Sequence, residues 1–243
     1  MGMRNIAEGE KKHHYFEDAD SAPAQHQDEG TREIGELYPF VISGGRNTER
    51  YYFMHINELT SYKFHIKPEY FGDESNYTDV FPNRIKKILE RNHDAKVFCV
   101  FDWDTIYNDK AKQKKHAAFE AQFKEEIAGG IVTLCPSMPC IEYWFLLHFT
   151  DDTTLLKDYS KVSQVLAPYF KPCFSEEGIR LKKLLKSEKH LRDDSWVKNL
   201  CADGKLENAI VRAENNIRTA ETEGKLKMQS YSYVYKAFKA CSK

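Results

Sequence analysis

The stretch Lys96-Val97-Phe98-Cys99-Val100-Phe101-Asp102-Trp103-Asp104 constrains this chain more than any other. Its apolar run leads straight into an Asp-x-Asp pair. A continuous apolar run with β-branched and aromatic members predicts a strand buried on both faces of a parallel sheet. Asp102 and Asp104 then fall at its C-terminal end, where open α/β sheets hold their ligands. On an extended strand, residues two apart point to the same side. The two carboxylates would then repel each other unless a cation sits between them, and hard oxygen donors of this kind suit Mg2+ or Mn2+. A second reading stands beside this one, in which the pair closes the strand and caps the next helix.

A chain of 243 residues can bury a sizeable core as one large domain or two small ones. With 30% charged and 41% hydrophobic residues it has the composition of a soluble globular protein. A formal net charge of −1 exerts no global pull on nucleic acid, so any such binding must come from local patches. No apolar run approaches membrane-span length and no signal-peptide core is present, which predicts a cytoplasmic protein without membrane contact. The six cysteines lack CxxC spacing and read as free thiols, not as a disulfide frame or zinc site.

Residues 1–36 are polar, without apolar periodicity, and read as a disordered or loosely attached arm; His13, His14 and His26 in it are irregularly spaced. Structure is predicted to begin with a strand at Leu37–Ile42, broken by Ser43-Gly44-Gly45. A helix follows from Asn47, with Glu49 in its first turn, where an acid complements the helix dipole. Strand, glycine turn and helix start form a cradle of backbone N–H groups suited to phosphate, and Arg46 in the turn is a candidate phosphate ligand. Neither Gly-x-Gly-x-x-Gly nor Gly-Lys-Ser/Thr occurs here, so no dinucleotide fold or P-loop is supported.

Further strands are expected at Tyr62–Lys67 and Ile131–Cys135, with helices at Asp79–Arg91 and Asp109–Ala128. The last of these helices opens on a basic patch that includes Lys110, a second candidate for phosphate. Alternating strands and helices over 37–150 predict a parallel sheet flanked by helices. Right-handed crossovers would gather the strand C-termini on one edge.

That edge would also receive Pro136-Ser137-Met138-Pro139-Cys140-Ile141-Glu142-Tyr143-Trp144, a stiff corner running into a strongly apolar helix. Glu142 is costly to bury in such a stretch unless paired or metal-bound. His148 lies at a different angle and reads as a hydrogen-bonded core histidine more readily than as a catalytic base.

Three motifs carry a resemblance to a known family: Gly45-x-x-Thr48-Glu49-x-x-Tyr52-Phe53, Val100-Phe101-Asp102-x-Asp104, and Ser137-x-Pro139-Cys140-x-Glu142-x-Trp144-x-Leu146-Leu147-His148-Phe149. The chain resembles the RloB-like proteins, which are similar to the TOPRIM fold of primases, topoisomerases and OLD-type nucleases. The resemblance covers residues from about 38 to 150 firmly and the remainder faintly. It implies a TOPRIM-like α/β sheet of about four strands. It also implies Mg2+-dependent phosphodiester cleavage of DNA or RNA in bacterial anti-phage defence, an ABC-type ATPase partner, and assembly into a homo-oligomer. Asp102, Asp104 and Glu142 would hold the metal, and Glu49, Asp102, Asp104 and Glu142 would form the catalytic set.

One departure stands out. The family's first strand leads into Glu-Gly, whose Glu serves as general acid/base; here Gly44 occupies that position. The position after the Asp pair, often acidic in the family, is Thr105. Either the chemistry has moved onto Glu49 or Glu142, or the protein is a degenerate module that binds nucleic acid, nucleotide or a partner protein. A phosphatase of haloacid-dehalogenase type also uses Asp-x-Asp but wants it after the first strand, whereas here it follows the third.

Residues 151–243 carry helical patterns at Ile179–Leu185 and Leu206–Ala220, with a loop and short helix at Leu191–Asp203. Tyr231, Tyr233, Tyr235 and Phe238 are expected to pack a last helix onto the body. This half reads as a helical cap over the sheet edge.

Overall fold

A computed structural model describes residues 38–45, 47–67, 77–174 and 179–241, without the side chains of 77 and 78. The expected N-terminal arm and Arg46 lie outside the described residues. In chain order the sheet and its first helices are β1 (Phe40–Ser43), α1 (Thr48–Leu59), β2 (His65–Lys67), α2 (Tyr77–Arg91) and β3 (Val97–Asp102). Then come α3 (Asp104–Tyr107), α4 (Lys110–Gln122), α5 (Lys124–Ala128), β4 (Val132–Met138) and α6 (Ile141–Leu147). The remainder comprises α7 (Tyr159–Phe170), α8 (Leu181–Lys186), α9 (Glu188–Leu191), α10 (Ser195–Cys201), α11 (Lys205–Thr222), β5 (Tyr231–Ser232) and α12 (Tyr235–Cys241).

The expected α/β architecture is present. The strands form one sheet in the order β2-β1-β3-β4-β5, parallel throughout except for the antiparallel β4–β5 pair. A fifth strand therefore extends the expected four. Two residues of β5, Tyr231 and Ser232, pair with Met138 and Ser137 at the far end of β4. So short a segment gives no periodic signal in sequence.

Strand period two divides the core. Val41, Phe98 and Val100 face one side with α1, α6 and the C-terminal helices. Ile42, Val97, Cys99 and Phe101 face the other with α2 and α4. β3 is buried on both faces, as its unbroken apolar run requires. On the first side every residue of α6 is buried, and Trp144 lies between Phe238 of α12, stacked at 5.5 Å, and His148 at 5.3 Å. Truncating a tryptophan so enclosed costs about 3–5 kcal/mol.

Several elements differ from the sequence reading, which does not anticipate α3 or α7. The single helix expected at 109–128 is divided at Phe123 (φ −110°, ψ 26°), whose ring turns into the core beside Phe119. The strand expected to stop at Cys135 continues through Pro136 to Met138. Proline is tolerated where a strand is an edge, and β5 pairs with β4 only beyond Pro136.

All six cysteines are free thiols, as expected, four of them buried. Among the described residues no helix is long and apolar enough to cross a membrane.

Candidate active site

The C-terminal ends of β1, β3 and β4 lie side by side: Ser43 is in register with Val100, and Asp102 with Ser137. Beyond β3 the chain is tied to the β4 corner, since Trp103 N–H donates to Ser137 O (2.9 Å) and Asp104 N–H to Pro139 O (3.0 Å). Asp102 Oδ1 accepts from the Ile141 N–H at 2.8 Å, so the acid ending β3 caps the first turn of α6. Glu142 follows in that same turn, 8% exposed. The Asp-x-Asp stretch and the Pro-Cys-x-Glu stretch thus form one structural unit.

From the other side comes Glu49. Its carboxylate turns back to the start of α1, accepting from its own backbone N–H and that of Gly45. It fills the space in front of Gly45 that a Cβ there would need. Gly44 is pinned to β3 through its N–H to Val100 O at 2.8 Å. A Cβ at Gly44 would lie 3.3 Å from Phe101 Cβ and 3.4 Å from Val100 O, so Phe101 would have to shift by a few tenths of an ångström to admit it.

Electrostatics record how close these acids are. Burial, helped by the charge of Glu142, pushes the Glu49 carboxyl up to about 7. Burial likewise raises Asp102 well above the usual carboxylate range, with Glu49, Glu142 and Asp104 adding to the rise in that order. Glu142 is raised by burial and by Asp104, against the lowering effect of a hydrogen bond from the Cys140 thiol. Burial also drives that thiol well above its ordinary value. Among the described residues no ion pair reaches Glu49, Asp102 or Glu142. Buried carboxylates without a cation are an electrostatic liability.

Asp104 stands somewhat apart. β3 ends at Asp102, and Trp103 already has helical angles (φ −76°, ψ −28°), so the strand does not continue through the pair. The parallel aim expected of an extended Asp-x-Asp is lost because Asp104 opens α3. Burial raises its carboxyl, Asp158 adds to that, and Lys112 opposes it.

The donor set is all carboxylate oxygen, which suits Mg2+ or Mn2+ and not softer ions. Among the described residues, however, no group of three His, Cys, Asp or Glu is placed to hold a metal ion. Mg2+ keeps several waters and is usually bound by one or two carboxylates plus substrate phosphate. Two of these carboxylates could hold such an ion only if water and substrate phosphate completed its shell.

The other expected site residues fall elsewhere. His148 is 1% exposed in the core, with Nδ1 2.8 Å from Leu200 O and Nε2 3.5 Å from Tyr52 Oη. A carbonyl only accepts, so Nδ1 carries the proton and the Tyr52 hydroxyl points at Nε2. Trp144 Nε1 in turn donates to Tyr52 Oη at 2.8 Å. Burial holds His148 down to about 4, a neutral core histidine. Lys110 is exposed at the start of α4. The lysines whose charge is felt by the carboxylates are instead Lys112, at Asp104, and Lys186 of α8, at Glu142. Sequence reasoning did not assign Lys112, Lys186 or Asp158 to the site. Asp158 caps α7, where it accepts from Lys161 N–H, in a helix that the sequence reading does not anticipate.

No curated protein and no solved structure matches the chain. The family model for RloB-like protein matches residues 40–240, spanning all five strands and the whole acidic edge. The chain belongs to the RloB-like family.

Proposed function

We propose that this protein is a metal-dependent nuclease of TOPRIM-like type, with Glu49 in the role that the family's first-strand glutamate would fill. The observation that carries the reading is the Glu49 carboxyl, buried against Gly45 and raised to about 7 beside Asp102 and Glu142. A general acid/base works best when its pKa lies near the working pH. Glu49 would take a proton from an attacking water or return one to the leaving oxygen. Asp102 and Glu142, with Asp104 at the margin, would hold Mg2+ or Mn2+. When bound, such an ion neutralises charge on the phosphoryl oxygens. Lys112 and Lys186 would balance the incoming phosphate backbone. From the resemblance, the expected setting remains bacterial anti-phage defence with an ABC-type ATPase partner and self-assembly.

The test is cleavage of single- and double-stranded DNA and RNA by the purified protein, alone and with its ATPase neighbour. Activity that needs Mg2+ or Mn2+ and vanishes in Asp102→Ala supports the reading. Intact substrates under every condition overturn it. Gly44 favours a second reading, a degenerate module that binds nucleic acid, nucleotide or partner protein without turnover. Metal-independent binding with no cleavage would support that one.

A further inference from the structure

Trp103, the residue between Asp102 and Asp104, helps line a cavity of about 730 Å³, within the range of pockets that enclose a small organic ligand. Its wall is aromatic, with Trp103, Tyr107 and Tyr231, while Gln229 offers an amide and Lys157 and Lys227 stand exposed at the rim. No acidic side chain lines it. Trp103 sits in the chain between Asp102 and Asp104, so the wall of this cavity and the acidic edge are built from one stretch. Lys157 precedes Asp158, whose charge reaches Asp104. Tyr107, three residues from Asp104 on α3, is 53% exposed.

From this juxtaposition we infer that the cavity receives an unpaired nucleobase of a single-stranded nucleic acid, beside the phosphate presented to the carboxylates. A flat π-system suits the aromatic wall, since base stacking on such side chains is sequence-tolerant. The Gln229 Nε2 already donates to Asn216 O at 3.2 Å, which leaves its amide oxygen to accept from a base edge. Lys157 and Lys227 complement flanking phosphates, and among the described residues neither is held in an ion pair. A paired base inside a duplex cannot enter a recess of this shape without leaving its stack. The substrate class is therefore single-stranded, or a duplex opened at the site. The inference deepens the nuclease reading and rests on it for the reacting phosphate, but not for the binding itself.

The experiment uses the full chain in EDTA, titrated with a single-stranded oligonucleotide of about ten nucleotides and with the matching duplex. Trp144 and Trp196 are fully buried, so the fluorescence accessible to a stacking base is that of Trp103. The single strand should quench it and the duplex should not. Trp103→Phe should abolish the quench while a labelled strand still binds. Tyr107→Ala, at an exposed position with little bearing on folding, should weaken binding about tenfold. Unchanged fluorescence with bound single strand, equal quenching by duplex, or wild-type affinity in Tyr107→Ala would each overturn the inference. Quenching without cleavage on adding Mn2+ would leave the pocket standing and remove the nuclease reading. Cleavage of the strand without quenching would do the reverse.

Discussion

The carboxylate of Glu49 occupies the volume that any side chain at residue 45 would need, so Gly45 and Glu49 form a single packed unit at the mouth of the sheet. The contact explains how an acid four residues into a turn and helix can stand in front of β1, although β1 itself leads into Gly44. It also makes residue 45 a switch for the site that has little to do with the core.

Gly45→Ala should therefore swing the Glu49 carboxyl away, because the colliding atoms are the free end of a flexible side chain. Melting temperature should move little, while metal-dependent cleavage falls by about 100-fold or more, the usual worth of a general acid/base. Kinetics and calorimetry on the same preparation check it. Full activity with a displaced Glu49 would remove that residue from the mechanism.

Gly44→Glu returns an acid to the position where the family pattern has one. The Cβ fits after a small yielding of Phe101. Cleavage under Mn2+ should rise above wild type, read as initial rate on a labelled strand. A folded variant with unchanged rate would mean that Glu49 already supplies all the acid/base chemistry.

The pH dependence of stability has a definite sign. Glu49 is raised from 4.5 to about 7, so the fold favours its protonated form. Its contribution is complete below pH 4.5 and is lost as pH rises through about 7. Glu49→Gln, always neutral, should match wild type in acid and exceed it at about pH 8 by up to about 3 kcal/mol. Denaturant melts at the two pH values test this.

Mn2+ should stabilise the protein most where the carboxylates are charged. At a free concentration of about 100 times Kd the gain is about 2.7 kcal/mol, seen as a rise in Tm at alkaline pH that shrinks in acid. Asp102→Asn should abolish it, and a Tm indifferent to Mn2+ in the presence of a bound single strand would count against a metal site.

His148 behaves oppositely to Glu49. Held at about 4 against an ordinary 6.5, it favours the neutral form, so its contribution is full above pH 6.5 and lost as pH falls through about 4. Its replacement by Asn should lower stability and leave the cleavage rate of the folded fraction unchanged. A rate loss without a stability loss would restore it as a site residue.

β3 and α11 were legible in the sequence because each repeats one signal, a continuous apolar run in β3 and 3–4 spacing through Leu206, Ile210, Ala213 and Ile217 in α11. The edge that gathers Asp102 and Glu142 followed from strand–helix alternation alone. What stayed hidden were relationships across the fold, such as Asp102 capping α6, Glu49 folded onto Gly45, and the divergence of Asp104. None leaves a periodic trace, since each depends on backbone direction at one residue. β5 escaped notice for want of length, and the extension of β4 beyond Cys135 because Pro136 reads as a strand stop.

The position of β5 and α12 also bears on the timing of synthesis. Every candidate acid has left the ribosome once residue 142 emerges, yet the strand beside Ser137 and the ring against Trp144 arrive only with residues 231–238. Until then β4 has an open edge and α6 an open side, so the nascent chain carries the acids without the frame that aligns them. A nuclease built in this order would lack its aligned acids until residues 231–238 have been made.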